Sequence, residues 1–183
     1  MKARSTGELI AAVDGGARVK YLPFWGHHPR PDGVIGSNCL SQWWPVEFTV
    51  DGVDFRTAEH YMMWRKAMLF DDRSIADRIL AARHPGEAKK LGRSIRGFAE
   101  DVWVEHRYGI VVAGSLAKFG QHEELRRFLV NTGDRVLVEA SPVDRIWGVG
   151  LTADDPRIED PTGWKGLNLL GFALMEAREG LRP

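Results

Sequence analysis

Residues 57–70, with the sequence TAEHYMMWRKAMLF, predict a single amphipathic helix. The stretch contains no Gly or Pro, and Thr57 is a favourable N-cap residue. At 3.6 residues per turn, Glu59 and Lys66 lie two turns apart on the side of the helix that also carries Met63 and Phe70. Because an ionised group on an apolar face is costly without a partner or ligand, the pair predicts a gap of small-molecule size between them.

The same spacing also fits an ordinary structural role for both residues. Acidic residues are favoured in the first helical turn, which suits Glu59. Lys66 can cover apolar surface with its stem and extend its ammonium group to water. The spacing alone leaves both interpretations open.

The flanking sequence predicts a mainly helical protein with a small β element, an α+β fold. Asp51-Gly52 between two β-prone runs is typical of a hairpin with a type I′ turn. Since the chain shows no repeat or linker, we expect a single domain over residues 1–183 with its core at about 18–181. Further helices are expected at 8–13, 74–83, 85–91, 98–119 (interrupted or bent near Gly109 and Gly114), 123–131 and 167–181, and strands at 18–22 and 135–139.

Composition excludes several functional classes. The 25 basic and 25 acidic residues cancel, which argues against tight nonspecific binding to nucleic acid. Cys39 is the only cysteine, so neither an internal disulfide nor a cysteine zinc site is available. The six His show no metal-ligand spacing, and we expect neither a metal nor a cofactor. No apolar run reaches the ~18 residues of a membrane span, so a cytoplasmic location is expected.

A second candidate site follows the strand expected at 135–139. Glu139 closes this strand, and the loop after it carries Asp144, Trp147, Gly148 and Gly150. Loops held at strand ends often carry functional groups, and glycines permit close approach of the backbone. Equally, Asp144 suits a turn and Trp147 suits a core.

Two weaker candidates lie elsewhere. Asn168, between glycines and ahead of the last helix, predicts a helix N-terminus open to anions, although an ordinary cap has the same pattern. Residues 89–93, KKLGR, form a basic spot that suits either a phosphate or a solvated surface.

Taken in order, several short motifs resemble those of the NADAR (YbiA-like) family. The resemblance spans about residues 40–181. One departure is visible, because Gln42 stands where the family often has Asn. The motifs are TAEHY at 57–61, KA at 66–67, AKKLGR at 88–93, AKF at 117–119, LVE at 137–139, DRIWG at 144–148 and NLLG at 168–171.

The resemblance implies a YbiA-like helical fold and metal-free hydrolysis of N-glycosidic bonds to ribose. It implies that Glu59 and Lys66 lie in the pocket, with an imine between Lys66 and the opened ribose as a suggested intermediate. Asp144 completes the expected catalytic set. The expected substrate-binding residues are Gln42, Trp43, Arg93, Lys118, Glu139, Trp147, Gly148 and Asn168.

Two substrate classes follow from the resemblance. The first is ADP-ribose attached to guanine, including guanine in DNA or RNA, and we favour it on family grounds. The second is the phosphorylated ribosylamino-pyrimidines of riboflavin synthesis. An alternative of another class is a non-catalytic sensor of NAD or ADP-ribose, which would not need both Glu59 and Lys66. The sequence predicts no membrane partner and gives no indication of oligomeric state.

Overall fold

The computed structural model describes residues 3–182, which form a mainly helical α+β protein as expected. The helix that starts at Ala58 is capped by the Thr57 side chain, which accepts a hydrogen bond from the His60 N–H. Within residues 3–182 the α-helices are α1 (Thr6–Asp14), α2 (Ala58–Leu69), α3 (Arg73–Ala81), α4 (Pro85–Gly92), α5 (Glu100–Gln121), α6 (Glu123–Asn131) and α7 (Leu169–Leu181).

Two small sheets complete the fold. Strand β1 (Tyr21–Phe24) pairs in parallel with β4 (Val136–Glu139), with Tyr21 opposite Val136 and Phe24 opposite Glu139. Strands β2 (Phe48–Val50) and β3 (Val53–Phe55) form the expected hairpin. Its turn residues Asp51 and Gly52 have φ of 51° and 78°, as a type I′ turn requires, so the hairpin prediction is confirmed.

The core forms where α5 packs along α7 and where α2 packs against α3, α4 and α5. β4 lies against α7, and short 3-10 turns stand at Ser37–Leu40 and Pro161–Gly163. This arrangement places the start of α2, the end of α4 and the loop after β4 close together, and the candidate site lies there. Within residues 3–182, no helix has both the length and the apolar character that crossing a membrane requires.

Most helix and strand ends differ from the expected ones by one or two residues, and three differences have a visible physical reason. The first strand runs from Tyr21 to Phe24 rather than over 18–22, and it tolerates Pro23 because it lies at a sheet edge. The last helix starts at Leu169, since Asn168 adopts a left-handed conformation with φ of 54°. The expected break in α5 at Gly109 and Gly114 is wrong, because the helix is continuous from Glu100 to Gln121.

Gly114 permits close packing rather than a bend. A Cβ atom at this position would lie 2.5 Å from Cδ1 of Tyr61, a buried α2 side chain. Tyr61 cannot easily retreat, because the Phe55 ring packs edge-on against it at 5.1 Å. A Cβ atom at Gly109 would meet no atom within 4 Å. The two glycines of α5 therefore have different physical roles.

We predict opposite effects of alanine at these two positions. Gly114→Ala should lower the free energy of unfolding by about 1–3 kcal/mol, because overpacking against Tyr61 outweighs the better helix propensity. Gly109→Ala, the matched control in the same helix, should raise it by up to about 1 kcal/mol. Urea denaturation of both variants measures the difference, and equal stabilisation by both would contradict the packing role of Gly114.

Candidate active site

Glu59 lies in the first turn of α2 with its side chain almost fully buried. The backbone N–H of Glu59 donates to the carbonyl oxygen of Gln42 at 2.9 Å, which joins the start of α2 to the segment before the hairpin. Within residues 3–182, the carboxyl atom Oε1 has no hydrogen-bond partner although it is buried. An unpartnered buried carboxyl oxygen is available to a ligand.

The electrostatic surroundings favour the protonated form of Glu59. Burial raises the pKa of its carboxyl group to about 7, and the negative charge of Asp144 acts in the same direction. Lys89, the indole of Trp43 and Arg93 favour the ionised form but do not outweigh burial. The group can therefore gain or lose a proton near neutral pH.

Glu139 is a second carboxyl group of this kind, at the end of β4. Burial raises its pKa to about 8, with Asp144 raising it further and Lys89 opposing. Its atom Oε2 is buried and has no hydrogen-bond partner in the part of the chain that the structure describes. Since Asp144 and Lys89 act on both Glu59 and Glu139, the four groups form one electrostatic cluster.

Asp144 shapes the turn after β4, and its charge also acts on the two buried carboxyl groups. Its Oδ1 accepts hydrogen bonds from the N–H groups of Ile146 at 2.9 Å and Trp147 at 2.8 Å, which fixes the turn after β4. Its charge nevertheless acts on Glu59 and Glu139. Among residues 3–182, no three His, Cys, Asp or Glu side chains lie together as a metal-binding group.

Lys66 projects into a neighbouring cavity of about 290 Å³. Its Nζ donates to the carbonyl oxygen of Gly92 at 3.0 Å and lies 4.1 Å from the ring centroid of Phe98 and 5.4 Å from that of Trp103. Burial lowers the pKa of this amine; the negative charge of Glu100 opposes the effect, and the positive charge of Arg93 adds to it. A half-buried amine with a lowered pKa can act as a nucleophile towards a carbonyl carbon.

Glu59 does not line the cavity of Lys66, so the two side chains are not the walls of one gap. The cavity and the carboxyl cluster are nevertheless adjacent. Arg93 borders the cavity, and its charge acts on both Glu59 and Lys66. Trp147, also on the cavity wall, is held by Asp144 of the cluster.

Trp43 stands beside Glu59 and is not among the residues that line the cavity. Its ring lies 5.3 Å from that of His27, between centroids, and a Cβ atom on Gly86 would lie 3.4 Å from its Cη2. Gln42 is buried and offers its backbone carbonyl to Glu59. These contacts assign Trp43 to the rim of the cluster and Gln42 to its support.

Lys118, Gly148 and Asn168 are occupied by contacts within the protein. The buried ammonium group of Lys118 donates to the carbonyl oxygens of Cys39 at 2.7 Å and Ser41 at 2.8 Å. Asn168 accepts from the Glu139 N–H at 3.0 Å and donates to the carbonyl oxygen of Leu137 at 2.9 Å. Gly148 is buried, and its carbonyl oxygen accepts from the Asn168 N–H at 3.2 Å.

The N-terminus of α7 is not open to anions, contrary to expectation. The N–H groups of Leu169 and Leu170 donate to the carbonyl oxygens of Ile146 and Trp147, which satisfies donors that a ligand would need. The glycines around Asn168 instead allow close packing. A Cβ atom at Gly171 would lie 2.0 Å from the carbonyl oxygen of Leu137.

Sequence reasoning missed several cavity residues, namely Phe98, Trp103, Arg107 and Ile146. Trp103 and Arg107 are four residues apart, so they share a face of α5, and this spacing was the one available signal. Only tertiary packing shows that this face looks towards Lys66.

Comparison with known proteins supports the resemblance found in the sequence. A family model described as the NADAR domain matches residues 23–182. N-glycosidase R617 of Acanthamoeba polyphaga mimivirus is 40% identical over 165 residues, covering 87% of this chain and 95% of the viral protein. The chloroplastic riboflavin biosynthesis protein PYRR of Zea mays is 34% identical over 129 residues, covering 67% of this chain and 19% of the maize protein.

A solved structure agrees with the fold. The NMR structure of the Escherichia coli protein YbiA superimposes with a TM-score of 0.70 at 28% identity, covering 90% of this chain and 86% of that chain. A match of the family model over most of the chain and a relative aligned over nearly its whole length lead to one conclusion: the chain belongs to the NADAR family.

Proposed function

We propose that the protein is an N-glycosidase that hydrolyses the bond between C1 of a ribose and a nitrogen base. The observation that carries the proposal is the buried carboxyl group of Glu59, whose Oε1 has no hydrogen-bond partner within residues 3–182 and whose pKa of about 7 lets it hold a proton at neutral pH. It adjoins a cavity that carries an amine and aromatic walls. Relatives named N-glycosidase support this class of reaction.

The chemistry assigns a role to each group. The base departs more readily when its nitrogen receives a proton, and Glu59 supplies that proton. The sugar carbon becomes electron-poor as the bond breaks, and the negative charge of Asp144 stabilises it. Water then adds to C1 and returns a proton to Glu59, so ribose and base are released without net loss of catalyst.

Glu139 and the two indoles have binding roles in this proposal. The Glu139 carboxyl group hydrogen-bonds the ribose hydroxyls, since it is buried and lacks a protein partner within residues 3–182. Trp43 and Trp147 offer flat faces to a base. In a second route, the ribose ring opens while C1 stays bonded to the base as an iminium. The Lys66 amine adds to C1, the base leaves with a proton from Glu59, and the resulting imine on Lys66 is hydrolysed by water to the free sugar and the amine.

ADP-ribose on guanine is the first substrate we propose. The cations Lys66, Arg93 and Arg107 border the cavity and suit its phosphates. A phosphorylated ribosylamino-pyrimidine is the second candidate, favoured by the name of the maize relative and by a cavity near the lower end of the size range of ligand pockets. A binding-only sensor is the contrasting possibility.

Incubation with the two substrates separately tests the proposal. We expect the purified protein to release guanine from an ADP-ribosylated guanine oligonucleotide, and more slowly to release the pyrimidine from the ribosylamino-pyrimidine phosphate. Chromatography of the released bases measures both rates. The reverse preference would move the assignment to the second substrate. Tight binding of ADP-ribose with no release from either substrate would indicate a sensor.

Glu59→Gln should reduce kcat by at least about a hundredfold while changing ligand affinity less than tenfold, because it removes the proton and keeps the shape. In the unmodified protein, activity should fall as pH rises through about 7, since Glu59 must be protonated to donate. The residual activity of the Glu59→Gln variant should not show this decrease with rising pH. Glu105→Gln, at an exposed position on α5, is the matched control. An unchanged pH profile in Glu59→Gln would end the acid role.

Lys66 should form a covalent adduct when borohydride is added to the productive reaction, because the reagent reduces an imine to a stable amine. Mass spectrometry of the peptide that contains Lys66 measures the adduct, and Lys66→Gln should abolish it. Lys20→Gln, at an exposed lysine before β1, should leave it unchanged. Turnover without any adduct on Lys66 would exclude the imine route and leave direct attack by water.

A further inference from the structure

The cavity beside Lys66 has an excess of positive charge. Lys66, Arg93 and Arg107 line it, and Glu100 is the one acidic residue among its lining in the described chain. The Glu100 side chain is 66% exposed, so water screens much of its charge. Such an excess suits a ligand group that carries between one and two negative charges, as a phosphate does.

Arg107 is the most buried of these cations, and its ion pairing is weak. Its side chain is 10% exposed, and its nearest carboxylate oxygen, on Glu100, lies 4.0 Å from Nη1. No hydrogen bond joins its guanidinium group to an acceptor in residues 3–182. Arg178, also buried, donates from Nη1 to the Thr132 hydroxyl at 2.8 Å and the Arg135 carbonyl oxygen at 2.9 Å, while its Nε and Nη2 have no partner within residues 3–182.

A guanidinium group without protein acceptors, on a cavity wall, is well suited to a tetrahedral anion. Its planar fork can donate two parallel hydrogen bonds to phosphate oxygens. The aromatic side chains of Phe98, Trp103 and Trp147 line the same cavity and replace part of the water around it, which strengthens this attraction. Arg93 borders the same cavity and is exposed, so it can close over a ligand from the rim.

We propose that this cavity binds the phosphate on C5 of the substrate ribose, with Arg107 as its principal ligand and Arg93 as the second. The inference rests on the proposed function, since it locates one end of that substrate. Both substrate candidates carry a phosphate at this position, as a diphosphate in ADP-ribose and as a monophosphate in the pyrimidine compound.

The position of Lys66 agrees with this assignment. Its amine is held against the carbonyl oxygen of Gly92 and the Phe98 ring, on the wall of the same cavity as Arg107. A phosphate at Arg107 therefore keeps the ribose in the cavity, within the space that Lys66 faces. A volume of about 290 Å³ suits a sugar phosphate, and the base leaves towards the carboxyl cluster beyond Arg93.

Binding of ribose 5-phosphate, measured by calorimetry, tests the phosphate site without requiring turnover. The unmodified protein should bind ribose 5-phosphate at least tenfold more tightly than ribose. Arg107→Gln and Arg93→Gln should each lose most of this preference. Arg78→Gln, at an exposed arginine on α3, should retain it as the matched control. Equal affinity for the two sugars would overturn the inference.

Kinetics with a substrate pair separates this inference from the proposed function. Arg107→Gln should lower kcat/KM about tenfold or more for the phosphorylated ribosylamino-pyrimidine and leave the dephosphorylated compound nearly unchanged. Equal losses on both compounds would overturn the phosphate role while the N-glycosidase proposal stands. Phosphate-dependent binding with no turnover would support the phosphate site and contradict the N-glycosidase proposal. If Arg107→Gln does not fold, the exposed position of Arg93 makes Arg93→Gln decisive in the same assays.

Discussion

The parallel pairing of β1 with β4 is the constraint on which the site depends. It joins two segments that lie far apart in the chain, and it places Phe24 opposite Glu139 at the carboxyl ends of the two strands. The residues that follow parallel strands meet at that end of the sheet, so the loop carrying Asp144 and Trp147 emerges beside the loop carrying His27. Asn168 fixes the arrangement by binding the backbone of β4 on both sides of Val138. Without this pairing, Glu139 would have no fixed relation to Glu59.

The other half of the site depends on a buried lysine. Lys118 holds the carbonyl oxygens of Cys39 and Ser41, and Gln42, the next residue, accepts from the Glu59 N–H. Burial lowers the pKa of Lys118 to about 7, because the protein interior disfavours the charged form of the amine. Lys118, which lies in one of the family motifs, therefore supports the site indirectly. It holds the segment whose residue Gln42 bonds to the backbone of Glu59.

The parts of the fold with local signals were predictable from sequence. The Asp51-Gly52 turn requires positive φ at both residues, and the α6 range 123–131 follows from its own pattern, so both were correct. The continuity of α5 was not predictable, because the reason for Gly114 is Tyr61 on another helix. In the same way, helical spacing placed Glu59 and Lys66 on one side of α2. Only the packing of other elements decides that Glu59 lies near carboxyl groups and that Lys66 lines a cavity. Arg107 became a candidate only when the packing around Lys66 was known.

Burying an ionised carboxyl group costs free energy, so the stability of the folded state depends on pH. The pKa of Glu59 rises from an ordinary 4.5 to about 7, so the folded state holds a proton that the unfolded state has already released. Stability from this group is therefore full below about pH 4.5 and declines as pH rises to about 7, by roughly 3 kcal/mol in total. A well-packed apolar residue would avoid the loss.

The raised pKa values let both buried carboxyl groups hold protons near neutral pH. With a pKa of about 8, Glu139 remains mostly protonated at neutral pH while Glu59 exchanges its proton freely. The charge of Asp144 acts on both of these carboxyl groups, and the two backbone N–H groups that donate to its Oδ1 hold it in position. A cluster that combines a retained proton with a fixed charge can both release a base and stabilise the sugar left behind.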